Sequence, residues 1–128
     1  MLNFFAYGTL LLPEVMLAVT GRSFASRMAI LGGFARYRIR GQSFPGIFPE
    51  PGASVTGLVY WEIDGLALDR LDAYEDAFYH RETVAISTAA GVGWAAETYV
   101  INEESHGLLL REDWCFENFR RQYSENII

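Results

Sequence analysis

The chain has 128 residues, 51% of them hydrophobic and 15% aromatic, with a formal net charge of −6. This is enough apolar matter for one domain over residues 1–128 and too little chain for two, and it excludes intrinsic disorder; the acidic balance disfavours nucleic acid as a partner. No apolar run reaches the ~18 residues of a membrane span, Met1–Leu12 lacks the basic leader of a signal peptide, and the single cysteine, Cys115, permits no intrachain disulfide, so a cytoplasmic protein without membrane association is expected.

Leu2–Tyr7 reads as a buried strand broken at Gly8. Pro13 stands where a first helical turn tolerates proline, and a short helix is expected over Pro13–Thr20 with Gly21 as its stop. Phe24–Leu31 and Phe34–Arg40 read as strands joined by a hairpin at Gly32-Gly33. The second carries Arg36, Arg38 and Arg40 at a spacing of two, hence on one face: a solvated strand face, or a rim that draws an anionic substrate. Gly41–Gly52 holds Pro45, Pro49 and Pro51, which remove backbone donors, and is expected to be a loop that could line a site.

Val55–Ile63 reads as another strand, and Asp64 as the N-cap of a helix reaching about Ala77. Tyr79–Ser87 and Trp94–Ile101 form a strand pair around Ala90-Gly91-Val92-Gly93. Leu109–Tyr123 carries a final amphipathic helix, with Trp114 and Phe119 as core anchors and Cys115 as a packed thiol. Strands dominate, with helices between them and no internal repeat or linker. The fold class expected is α+β, a small mixed β-sheet or barrel with a few helices.

The most informative residue lies on the Asp64–Ala77 helix. Leu68, Leu71, Glu75 and Phe78 fall on one stripe at ~100° per residue. Three are apolar and face the core; the fourth is a glutamate. A carboxylate there must be paired, hydrogen-bonded or neutralised, and burial raises its pKa toward the range useful for proton transfer. Asp72 and Asp76 flank it and push the same way. The plain alternative is a helix-end glutamate that reaches solvent.

Other chemistry finds little footing. His80 and His106 are far apart, with no second ligand at metal spacing, so no metal site is expected, and His80 reads as an ordinary polar neighbour. Gly41-Gln42-Ser43-Phe44-Pro45 lacks the glycine a nucleophile elbow needs two residues after its serine. Gly91-Val92-Gly93 opens no helix, so it is no dinucleotide fingerprint.

Two motifs then stand out together. Tyr7-Gly8-Thr9-Leu10 directly follows the first strand, and Leu71-Asp72-Ala73-Tyr74-Glu75 is followed by Tyr79 and Arg81. Between them lie Tyr37-Arg38-Ile39-Arg40-Gly41, Phe44-Pro45-Gly46-Ile47 and Gly57-Leu58-Val59-Tyr60, and after them Trp94-Ala95-Ala96-Glu97-Thr98-Tyr99-Val100. In this order the segments resemble the gamma-glutamylcyclotransferase-like superfamily over nearly the whole chain. Tyr-Gly-Thr-Leu alone is a weak signal; its pairing with the Leu-Asp-x-x-Glu helix is specific. Asp76 departs from the pattern, which has glycine after the catalytic glutamate.

The resemblance implies that fold and a reaction releasing 5-oxoproline and a free amine from a small-molecule gamma-glutamyl substrate. It implies Glu75 as general acid/base, no metal and no cofactor. Tyr7, Gly8, Thr9, Leu10, Tyr79 and Tyr99 are implied to form the substrate pocket, with turn amides as oxyanion donors. A non-catalytic small-molecule-binding module of the same fold is the alternative. The identity of the leaving amine and the oligomeric state are not legible.

Overall fold

Five strands and three helices follow the chain: β1 (Leu2–Ala6), α1 (Pro13–Thr20), β2 (Ser26–Arg38), β3 (Pro45–Ile63), α2 (Gly65–Glu75), β4 (Tyr79–Thr88), β5 (Gly93–Ile101) and α3 (Phe116–Ile127). The computed structural model describes residues 1–127, apart from the side chains of Asp76 and of residues 125–127. The strands close into a barrel in the order β1-β3-β2-β4-β5. Each ladder is antiparallel except the closing one, where β1 runs parallel to β5 with Phe4 opposite Glu97.

The two-residue period of a strand sorts the apolar side chains into two cores. Phe5 and Tyr7 point into the barrel with Leu31, Val59, Ile86 and Val100. Phe4 and Ala6 point outward, with Tyr60 and Tyr99, into a second core roofed by α1 and α2 through Met16, Ala67 and Leu71. β1 therefore belongs to both cores and brings its far end, Tyr7-Gly8, to the place where they meet. Gly57 allows the close approach of β1 to β3: a Cβ there would sit 2.1 Å from the carbonyl oxygen of Ala6.

The helix signals are realised. Gly21 closes α1 at φ 76°, its N–H donating to Leu17 O at 2.8 Å, and Asp64 Oδ1 accepts the Ala67 N–H at 2.8 Å at the start of α2. Gly91, at φ 77°, turns β4 into β5.

Three expectations are corrected. β2 runs unbroken through Gly32-Gly33, so there is no hairpin at that pair. Gly33, at φ 82°, marks a bulge instead, where the register jumps from Gly32 opposite Ser54 to Phe34 opposite Pro49. The reversal lies later, between Arg38 and Pro45.

Most of the expected Gly41–Gly52 loop is strand, because β3 begins at Pro45. That half of β3 pairs with β2, while β1 reaches only Leu58–Ile63. Proline is tolerated at such an edge, where one side of the ladder is open.

The last helix begins at Phe116 and not at Leu109. The backbone before it is claimed by the end of β2: Leu110 N–H donates to Arg38 O at 2.9 Å, and Arg38 N–H to Glu112 O at 3.0 Å. Trp114 is buried ahead of the helix and Phe119 packs against the outer core, whereas Cys115 is exposed and not packed. Among the described residues no helix is long and apolar enough to cross a membrane.

Candidate active site

Where β1 ends, Gly8 leads into a single 3-10 turn, Thr9–Leu11. Leu11 N–H donates to Gly8 O at 3.0 Å and Leu12 N–H to Thr9 O at 3.2 Å. The amides of Gly8, Thr9 and Leu10 have no acceptor among the described residues, as expected for the first donors of a helical turn. Glycine is required by packing, since a Cβ on Gly8 would lie 2.9 Å from Cδ of Pro45. The turn is anchored on three sides. Arg36 Nη1 donates to Tyr7 O at 2.9 Å, Tyr60 OH to Leu10 O at 2.7 Å, and Thr9 Oγ1 lies 2.9 Å from Tyr74 OH. The Leu10 side chain itself is buried in the outer core.

α2 delivers Glu75. Leu71 is fully buried and Leu68 partly so, which sets that stripe against the outer core. Glu75 is the last α-helical residue, and the chain tightens into a 3-10 turn over Asp76–Phe78. No cation and no hydrogen-bond donor reaches the Glu75 carboxyl group among the described residues, and burial pushes its pKa up to about 8. The cause is desolvation and not like charge: Asp72 is engaged elsewhere, with Tyr99 OH at 2.6 Å and Arg81 Nε at 3.1 Å. The Asp76 side chain lies outside the described residues, so its expected influence has no structural counterpart.

Four tyrosines surround the carboxyl group. Those of Tyr7, Tyr74, Tyr79 and Tyr99 have their pKa values raised mainly by burial, and the Glu75 charge adds to each. Their hydroxyl groups are committed to the scaffold. Tyr7 OH donates to Tyr99 O at 2.6 Å and Tyr79 OH to Pro45 O at 2.6 Å. At Tyr99 the bond to Asp72 raises the phenol further.

The residues implied for the substrate site, Tyr7 to Leu10, Tyr79 and Tyr99, line one recess together with Glu75. It holds about 20 Å³, room for a water-sized group. It adjoins an outer pocket of about 380 Å³ that shares Thr9, Phe44, Glu75 and Tyr79 with it and adds Gln42, Tyr74 and Phe78. The joined space is of ligand size. Phe44, Pro45 and Tyr74 are lining residues not singled out as site residues in the sequence, and Phe78, expected to face the core with Leu68 and Leu71, instead lines the outer pocket. Phe78, three after Glu75, is within reach of helical spacing; Tyr74, one before it and about 100° round the helix, is not. Phe44 and Pro45 belong to the segment expected to be a loop that could line a site, and they do line it, although that stretch is largely strand.

Two of the three rim arginines are committed to ion pairs, and the third, Arg40, is exposed beyond the end of β2. Arg36 pairs with Asp113 at 2.8 Å and lies over the Trp114 ring, and Arg38 pairs with Glu112. His80, exposed, is bonded to Asn102 and Glu82, which hold its pKa above the ordinary value.

Comparison with known proteins places the arrangement. Residues 4–116 match the family described as gamma-glutamyl cyclotransferase, AIG2-like. AIG2-like protein C of Arabidopsis thaliana is 34% identical over 98% of this chain and 73% of its own length. A solution structure from Arabidopsis thaliana superposes with a TM-score of 0.79 at 31% identity, covering 98% of this chain and 85% of that one. A solved gamma-glutamyl cyclotransferase shares the fold, with a TM-score of 0.70 at 24% identity over 79% of this chain and 66% of its own. The barrel with its roofing helices is thus the fold of that group, and the chain belongs to the gamma-glutamyl cyclotransferase, AIG2-like family.

Proposed function

We propose that the protein is a gamma-glutamyl cyclotransferase, converting a small gamma-glutamyl compound into 5-oxoproline and a free amine with Glu75 as general acid/base. The observation that carries this reading is the unpartnered, desolvated carboxyl group of Glu75, with a pKa of about 8, beside the Gly8–Leu10 turn. A structural glutamate would be expected to hold a donor or a cation in return for its burial. A group kept near neutral pKa suits proton transfer in both directions.

The reaction is an intramolecular acyl transfer, so the nucleophile comes with the substrate. Ionised Glu75 takes a proton from the substrate's α-ammonium. The freed amine attacks the γ-carbonyl carbon, a C–N bond forms and the carbonyl oxygen becomes an oxyanion. The amides of Gly8, Thr9 and Leu10 are free to donate to that oxygen. Collapse of the intermediate breaks the old C–N bond as the departing nitrogen takes the first proton from Glu75; the ring nitrogen then gives up its second proton through the again-ionised Glu75, and the free amine leaves as ammonium beside the neutral lactam. Holding the glutamyl chain curled between Tyr79, Tyr99 and the turn could lower the barrier by up to ~7–11 kcal/mol.

The test is 5-oxoproline release from a panel of gamma-glutamyl compounds by wild-type protein and by Glu75→Gln. Release by the wild type and none by a folded Glu75→Gln supports the reading. Full activity in that variant refutes the role of Glu75, and silence of the wild type across the panel favours a non-catalytic binding module.

A further inference from the structure

On the cyclotransferase reading, on which the inference rests, the outer pocket receives the departing half of the substrate. Its walls are mainly the rings of Phe44, Tyr74, Phe78 and Tyr79. Three of these brace one another: Phe44 meets Phe78 edge-on at 5.6 Å, Phe44 lies 6.2 Å from Tyr79, and Phe78 lies 6.4 Å from Tyr79. The two phenol groups are already engaged, Tyr79 OH with Pro45 O and Tyr74 OH with Thr9. Thr9 and Gln42 supply the remaining neutral polar atoms.

Cationic side chains are missing from this lining. No arginine or histidine lines either the recess or the outer pocket among the described residues, and the chain contains no lysine at all. Of the arginines around the site, Arg38 is paired with Glu112, Arg36 with Asp113, and Arg81 with Asp72 and Glu97, while Arg40 is exposed and lines neither space. In the proposed reaction the Gly8–Leu10 amides serve the oxyanion, and the glutamyl half already brings one carboxylate.

We infer that the outer pocket selects a leaving amine with an uncharged apolar body, an aromatic or alkyl amine, over one that carries a free carboxylate. A second carboxylate would exchange its hydration for aromatic carbon with no cation in return. It would also be repelled by Glu75 whenever that group is ionised. A cationic body would gain from the ring faces. Its one counter-charge in the lining is Glu75 when ionised, and reaching it costs the ammonium its hydration. An apolar body loses nothing on entry and gains the burial of its surface.

Three conjugates isolate the point: gamma-glutamyl-phenethylamine, gamma-glutamyl-phenylalanine, which differs from it by one carboxylate, and gamma-glutamyl-putrescine. In 5-oxoproline release at pH 7.5, kcat/KM for the phenethylamine conjugate is expected to exceed that for the phenylalanine conjugate by about tenfold or more. Gln42→Arg, which brings a cation to the pocket margin, is expected to narrow that gap by raising turnover of the phenylalanine conjugate. Equal or faster turnover of the phenylalanine conjugate, or preference for the putrescine conjugate, overturns the inference and leaves the cyclotransferase reading standing. No release from any of the three counts against that reading instead. Calorimetric titration of the same conjugates into the wild-type protein then decides the pocket's preference. Tightest binding of the phenethylamine conjugate supports the inference, and any other order, or no binding, overturns it.

Discussion

Tyr99 donates its phenolic proton to Asp72 Oδ1 at 2.6 Å, and this bond ties β5 to α2 one turn before Glu75. Arg81 reaches the same oxygen and, through Nη1, Glu97 Oε1 at 2.9 Å. Two carboxylates of one helix are thereby given opposite environments. Asp72 is bonded to the barrel wall, and Glu75 is left desolvated and alone.

Cutting that tie tests it. Tyr99→Phe keeps the ring that packs edge-on against Phe4 at 5.7 Å and removes only the hydroxyl. A stability loss of about 1 kcal/mol is expected, read as a lowered Tm. If the bond aims Glu75, 5-oxoproline release falls roughly tenfold or more in kcat, since small displacements of a reacting group are costly. Unchanged kcat alongside a lowered Tm would leave Tyr99 a purely structural role.

Glu75→Gln is expected to fold and to release no product. It should also be the more stable protein in alkali. The unfolded chain sheds this proton near 4.5, whereas the folded chain holds it to about 8. Ionisation therefore costs stability progressively across that window, and the cost is complete above it. The amide carries no such cost, so at pH 9 the variant is expected to exceed the wild type by the order of 2–4 kcal/mol in chemical denaturation, a gap that closes toward pH 4. A wild type as stable as the variant at pH 9 would mean that Glu75 is solvated.

The rate has its own dependence on acidity. Because the ionised form of Glu75 accepts the first proton, kcat/KM should climb with pH to a bend near 8. Below the bend the slope should be about one logarithmic unit per pH unit. A flat profile between pH 6 and 8 would place the working base elsewhere.

Gly8→Ala probes the first turn. The added methyl meets Pro45 Cδ at 2.9 Å, and neither a proline ring nor a strand start yields easily. The expected penalty is about 1–3 kcal/mol in denaturant unfolding. Product release should fall further than Tm alone accounts for, because the turn amides move with the backbone. Normal kinetics in the variant would show that these amides do not touch the reacting carbonyl.

The parts of the molecule legible in the sequence are those set by local rules. Pro13 and Gly21 bracket α1, Asp64 caps α2, and Gly91 turns β4 into β5. Glu75 is conspicuous because the helical period places it among leucines. What stays hidden depends on partners distant in the chain. Gly32-Gly33 has the composition of a turn, yet β3 pairs on both sides of it and makes it a bulge. Pro45, Pro49 and Pro51 suggest a loop until the open edge of β3 is known. Residues 109–112 read as helix, but their backbone groups bond to the end of β2. The same long-range pairing brings Phe44 and Pro45 to the pocket, so the aromatic mouth cannot be read from spacing.

The exposed position of Cys115 has a practical use. It is the chain's sole thiol, and it borders a surface hollow that includes Gln42, which also lines the outer pocket. A maleimide fluorophore attached there would label the molecule at one defined point, so that filling of the aromatic mouth could be followed by emission in real time, without waiting for turnover.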